Sequence, residues 1–117
     1  MNVLFVCTEN LARSPTAAML FRELQGKAGR HEARAVGTAP HAPRRLTTRE
    51  LAWAHLVAVM EPRHLGVIAT HWPHHADKVV VLQVEDRVVA SERELRQVLE
   101  PKVRALLARC DGESVSA

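Results

Sequence analysis

The sequence predicts a single α/β domain, a parallel sheet with helices on both faces, and three observations carry that expectation. Short apolar runs of strand length alternate with stretches of helical period four times along the chain. The first run is apolar throughout, the pattern of a strand buried on both faces. At 117 residues there is room for one core and not for two domains.

Residues 3–7 are the first strand, ending in a polar loop. Beyond it Ala17, Leu20, Phe21, Leu24 and Ala28 recur on one helical face, with Ser14 as N-cap, Pro15 as the first helical residue and Gly26 or Gly29 as the stop. Residues 32–36 read as a second strand before Gly37 and Thr38, and residues 39–46, with Pro40, Pro43 and two arginines, as a surface loop. Thr47 followed by Glu50 is a capping-box signature for a short helix to about Trp53. Residues 56–60 are the third strand, Pro62 opens a helix to about Thr70, residues 71–77 connect, and residues 79–84 are the fourth strand. Ser91 and Glu94 form a second capping box, ahead of a stripe of Leu95, Val98, Leu99, Val103, Leu106 and Leu107 that runs to Cys110. Pro101 interrupts that stripe, and because a mid-helix proline costs roughly 3 kcal/mol a kink or restart is expected there. The domain is expected to occupy residues 1–110, with a small, polar tail over 111–117 that frays.

A composition of 47% hydrophobic and 25% charged residues is that of a folded globular protein and excludes a disordered chain. Two cysteines, Cys7 and Cys110, are too few for a disulfide scaffold, and the first residues lack the features of a signal peptide, so a reduced, cytoplasmic protein is expected. No apolar run approaches the ~20 residues that span a bilayer, which argues against a membrane protein. The net charge of +3 favours anions, but the arginines are dispersed and only four aromatic residues, Phe5, Phe21, Trp53 and Trp72, are available to stack on bases. Nucleic acid is therefore not expected as a partner. His71, His74 and His75 have no cysteine near them and a spacing around Pro73 unlike the usual zinc patterns, so no metal is expected. Trp53 and Cys110 read as core residues, the latter inert, and Arg44, Arg45 and Arg49 as a solvated basic segment.

The chemistry concentrates in Cys7-Thr8-Glu9-Asn10-Leu11-Ala12-Arg13-Ser14, between the first strand and the first helix. Successive backbone N–H groups in such a loop make a nest for an oxyanion, and the following helix adds its positive end. Arg13 supplies a planar fork that matches two phosphate oxygens. The same surroundings stabilise a thiolate at Cys7, placing a nucleophile against an oxyanion pocket. Ser14 is placed to donate a hydrogen bond to the sulfur. In open α/β sheets ligands bind beyond the carboxyl ends of the strands, where Cys7 falls.

These residues resemble the low-molecular-weight protein tyrosine phosphatases, and more narrowly the short bacterial phosphatase-like members of that superfamily. The stretch VLFVCTENLARSPTAAMLF carries the family's Cys-x-x-Asn-x-x-Arg-Ser-Pro signature on Cys7, Asn10, Arg13, Ser14 and Pro15. Ala35-Val36-Gly37-Thr38 is similar to its Ser-Ala-Gly-Thr segment and residues 53–61 to its next strand, so the likeness covers roughly residues 1–100. The resemblance implies a flavodoxin-like three-layer sandwich with a four-stranded parallel sheet in the order 2-1-3-4. It also implies phosphomonoester hydrolysis through a phosphocysteine at Cys7, with no cofactor. Phosphate would be bound by Thr8, Glu9, Asn10, Leu11, Ala12, Arg13 and Ser14, and Asn10 would support a left-handed turn of the loop. The substrates implied are phosphotyrosine proteins or small aryl phosphates.

The chain departs from that family in three ways. Glu9 puts a carboxylate where a glycine or neutral residue is usual, unfavourable to a bound dianion unless it faces solvent or pairs with an arginine. No Asp-Pro pair, the family's general acid, occurs in the chain, which leaves Asp86, after the fourth strand, and Glu92, the positional counterpart, as candidates for that role. Tyrosine is absent altogether, so a tyrosine-lined substrate pocket is excluded. Two rival functions follow: a catalytically weak or inactive phosphate- or phosphoprotein-binding module, favoured by the missing acid, and thiol-dependent arsenate reduction, which needs two relay cysteines where only Cys110 is on hand.

Overall fold

The computed structural model describes residues 1–27, 29–85 and 91–112. Ala28 of the expected stripe, the candidate acid Asp86 and residues 113–117 of the expected tail lie outside the described residues.

Four parallel strands, β1 (Asn2–Cys7), β2 (Glu32–Gly37), β3 (Leu56–Val59) and β4 (Val79–Val81), form one sheet in the order β2-β1-β3-β4, as expected. Between them run α1 (Arg13–Gln25), α2 (Thr48–Trp53) and α3 (Pro62–His71), and α4 (Glu92–Cys110) closes the domain. The alternation of side chains along β1 explains the three layers. Val3, Phe5 and Cys7 face α1 and α4, where they meet Ala17, Leu20, Phe21, Leu95, Leu99, Val103 and Leu106. Leu4 and Val6 face the other way, onto Leu46, Leu51 and Ile68 beside α2 and α3. Phe5 and Phe21 meet edge to face at 5.8 Å between ring centroids. Cys7 pairs with Gly37 and Val6 with Val59, which aligns the carboxyl ends of the central strands on one edge of the sheet. Among the described residues no helix is long and apolar enough to cross a membrane.

Several expectations are corrected. Helix α1 begins at Arg13 with Ala12 as its N-cap, so Ser14 is an inner residue of the first turn and not the cap. Pro15 sits harmlessly in that turn, since the first N–H groups of a helix have no intrahelical partner. The fourth strand stops at Val81 because Gln83 adopts a left-handed conformation (φ 59°), although Leu82 N–H and Val84 N–H still donate to Val59 and Met60. Residues 73–78, most of the expected connector together with Lys78, form a 3₁₀ helix. The loop over 39–46 is not wholly a surface feature, as Ala39 and Leu46 are buried. Trp53 is half-buried, packed against the edge of the core, with the Arg34 guanidinium 4.0 Å from its ring centroid. At the start of the expected tail, Asp111 accepts hydrogen bonds from His31 Nε2 (2.6 Å) and Arg30 Nη2 (3.1 Å).

Helix α4 runs unbroken through Pro101, where a kink or restart was expected. Pro101 and Gln97, whose carbonyl loses its helical partner, are both exposed, so water takes up the missing hydrogen bond. Replacing Pro101 by Ala restores the bond and the helical preference, offset by a more flexible unfolded chain. It is expected to stabilise the domain by about 1–2 kcal/mol, read as a higher urea midpoint with unchanged slope.

Candidate active site

Strand β1 delivers Cys7, 2% exposed, to the carboxyl edge of the sheet, and the chain turns at once through residues 8–12 into α1. The turn depends on Asn10, whose φ of 58° lies in the left-handed region that asparagine tolerates better than most residues. That conformation aims the Asn10 N–H at the Cys7 sulfur, 3.2 Å away. Ser14 Oγ approaches the same sulfur to 3.1 Å and also lies 2.9 Å from Asn10 Oδ1 and 3.2 Å from the Val36 carbonyl. A hydroxyl has one proton to give, so its partner depends on the state of the sulfur. With a thiol it donates to Asn10 or Val36; a thiolate draws it to sulfur. No side-chain hydrogen bond caps the start of α1, so its first-turn N–H groups remain for a bound anion.

Neighbouring elements hold the loop at both ends. Thr38 N–H donates to the Cys7 carbonyl (2.9 Å) and Ala39 N–H to that of Thr8 (2.8 Å). This approach needs a residue without a side chain at Gly37, where a Cβ would stand 2.6 Å from the Thr8 carbonyl oxygen and 3.0 Å from the Asn10 nitrogen. From the other side, His64, 1% exposed, accepts the Glu61 N–H on Nδ1 (3.0 Å), which leaves the proton on Nε2 to be donated to Thr8 Oγ1 (2.9 Å). Arg13, 5% exposed, donates from Nη1 to Glu61 Oε2 (2.5 Å) and to the Val84 carbonyl (2.7 Å). Glu61 is also bound by Arg63 (2.9 Å). Hydrogen bonds from Arg63 and then Arg13 take its carboxyl from 4.5 down to about 2, against the opposing effect of burial.

The loop encloses a cavity of about 190 Å³ lined by Cys7, Glu9, Leu11, Ala12 and Arg13. The structure thus brings together most of the residues that the sequence singled out. Glu9 is half-exposed, its Oε2 3.6 Å from His41 Nε2, so it meets the first of the two conditions, facing solvent, and its described partner is a histidine in place of an arginine. Glu92 is an exposed first-turn acid of α4 and is not among the cavity residues. Cys110 is half-buried, and burial pushes its thiol up. Among the described residues no group of three or more His, Cys, Asp or Glu is placed to hold a metal ion. Two supporting residues, Glu61 and His64, did not stand out in the sequence. Their signal was a carboxylate directly after the third strand, on the edge where ligands bind, ahead of a helix-opening Pro62.

Two outcomes follow from this geometry. Gly37→Ala is expected to cost about 1–3 kcal/mol in urea unfolding, since backbone atoms of the loop must give way to the new Cβ. The Glu61 carboxyl titrates lower in the folded chain than its ordinary value, so its contribution to stability is complete above about pH 4.5 and lost as pH falls through about 2. The stability difference between the native chain and Glu61→Gln, measured by urea at a series of pH values, therefore shrinks across that window.

No family model matches the chain. Among curated proteins it is 29% identical to the protein-arginine-phosphatase of Bacillus subtilis (strain 168), with 71% of each chain covered. Among solved structures it superposes on a Cys-to-Ser variant of the YwlE arginine phosphatase, phosphorylated on its active-site serine, with a TM-score of 0.80, 26% identity and 95% and 96% of the two chains covered. It shares its fold with a low-molecular-weight phosphotyrosine phosphatase from Vibrio cholerae O395, TM-score 0.84 at 19% identity over 98% and 99% of the chains. With the loop and sheet order described above, these likenesses support a place for the chain beside the low-molecular-weight protein tyrosine phosphatases and a cysteine-dependent hydrolase of that class.

Proposed function

We propose that Cys7 is the nucleophile of a phosphatase acting on phosphorylated protein side chains, with Arg13 and the loop amides as the phosphate cradle. The observation that carries this is the Cys7 sulfur, held by the Asn10 N–H and beside Ser14 Oγ, in a cavity that Arg13 also lines. The thiolate attacks phosphorus, the S–P bond forms as the bond to the leaving oxygen breaks, and that oxygen takes a proton from a carboxylic acid. Water then attacks phosphorus and gives its proton to the carboxylate, the S–P bond breaks, and orthophosphate and the thiolate are released. Ser14 Oγ–H supports the sulfur as a leaving group in this second step. The acid is assigned to Asp86 or Glu92, the carboxylates that follow β4 and open α4.

The likeness to a protein-arginine-phosphatase favours a second reading of the substrate, phosphoarginine in place of phosphotyrosine. Arsenate reduction with Cys110 as relay is disfavoured by the fold. Cys110 precedes Asp111, which binds His31, and His31 meets the chain's amino terminus (3.1 Å), whereas Cys7 ends β1. The six residues of β1 span roughly 17–20 Å, which sets Cys7 and the neighbourhood of Cys110 towards opposite ends of the strand, beyond the ~7 Å between Cα atoms that a disulfide allows.

Orthophosphate release from an aryl phosphate and from phosphoarginine tests the reading. Cys7→Ser is expected to abolish turnover of both, and full activity in that variant would sink the proposal. Of Asp86→Asn and Glu92→Gln, the one that removes the acid slows hydrolysis of the aryl ester about a hundredfold or more. If neither does, a phosphate-binding module without an efficient acid is favoured.

A further inference from the structure

Among the described residues lining the cavity Glu9 is the one carboxylate. Unlike Glu61, which is engaged by two arginines, it is half-exposed, and the described side chain paired with it is the imidazole of His41, itself largely exposed and 3.6 Å away. A carboxylate there raises the electrostatic cost of any phosphate dianion, and that cost is shared by every substrate. What differs between substrates is the leaving group, which points out of the cavity in line with the sulfur. In an aryl phosphate it is a phenol oxygen that gains negative charge as the bond breaks, so Glu9 opposes its departure as well. In a phosphorylated guanidine the nitrogen on phosphorus belongs to a delocalised cation, which the positive charge of Arg13 repels and a carboxylate at the same cavity offsets. Leu11, 67% exposed, gives the cavity an apolar flank for the methylenes of such a side chain, and no tyrosine occurs in the chain to line an aromatic pocket.

We infer that Glu9 is a specificity-determining residue that makes the loop prefer a phosphorylated side chain with a cationic leaving group, a phosphoguanidine, over an aryl phosphate. The inference rests on the phosphatase reading above and adds to it the residue that selects the substrate. Its effect is electrostatic, so it is sensitive to salt and depends on the charge of residue 9 more than on its size.

The experiment compares kcat/KM for phosphoarginine and for an aryl phosphate in the full chain, Glu9→Gln, Glu9→Gly and Glu9→Asp, at low ionic strength and at about 1 M, where charges are screened beyond ~3 Å. The expected result is a phosphoarginine-to-aryl-phosphate ratio about fivefold lower in Glu9→Gln and Glu9→Gly, with the aryl phosphate rate rising, and a ratio retained in larger part by Glu9→Asp. High salt lowers the ratio in the native chain and leaves it unmoved in Glu9→Gln. A ratio unchanged within about twofold in both uncharged variants, or an equal loss on both substrates, overturns the inference while leaving the phosphatase reading standing. Failure of the native chain to release phosphate from either substrate overturns that reading, and the inference with it.

Discussion

Burial of the Arg13 guanidinium is the constraint on which the site depends. A charge taken out of water without a partner costs several kcal/mol, and Arg13 is 5% exposed. Its partners, Glu61 after β3 and the Val84 carbonyl beyond β4, come from the next two positions across the sheet. A parallel sheet brings them together because its strands all end on one edge. The same turn of chain that supplies Glu61 supplies His64, which takes the Glu61 N–H and gives its own proton to Thr8. The first turn of α3 therefore anchors the loop near both ends, at Thr8 and at Arg13. Loop conformation, sulfur environment and cavity shape follow from that clamp and from the close approach of Gly37 on the opposite side.

How much of this the sequence disclosed depended on distance along the chain. The strand and the Cys7 to Ser14 loop were legible because each rests on neighbours in sequence, and the left-handed Asn10 was implied by the family resemblance. The start of α1 was misread although every residue involved was in view. Ser-Pro ahead of an apolar stripe is an N-cap pattern in most contexts, and here the hydroxyl is drawn instead to Cys7, Asn10 and the Val36 carbonyl, the last contributed by another strand. The early end of β4 had no signature in Gln83, since a left-handed glutamine is a conformation that the surroundings impose. Arg13 and Glu61 stand 48 residues apart, and nothing local in either marks the pairing. Gly37 was visible as part of a family-like segment, but its reason, a 2.6 Å approach to a loop carbonyl, is a fact of packing.

Glu9 and Glu61 show how environment separates two residues of one type at one site. Glu61 is committed: two arginines hold its proton off until about pH 2, and it fixes Arg13 in place. Glu9 sits half in solvent with an exposed imidazole as its described neighbour, able to act on whatever enters the cavity. Among the described side chains, the charges of these two carboxylates offset those of Arg13 and Arg63. A phosphate dianion is then held less by net charge than by directed donors: the loop amides, the positive end of α1 worth about half an elementary charge, and the fork of Arg13. Directed donors lose their value within a few tenths of an ångström, whereas net charge does not. A site with charges offset in this way therefore leans harder on loop geometry than a cationic one would, and returns the burden to the buried guanidinium and the glycine that keep the loop in shape.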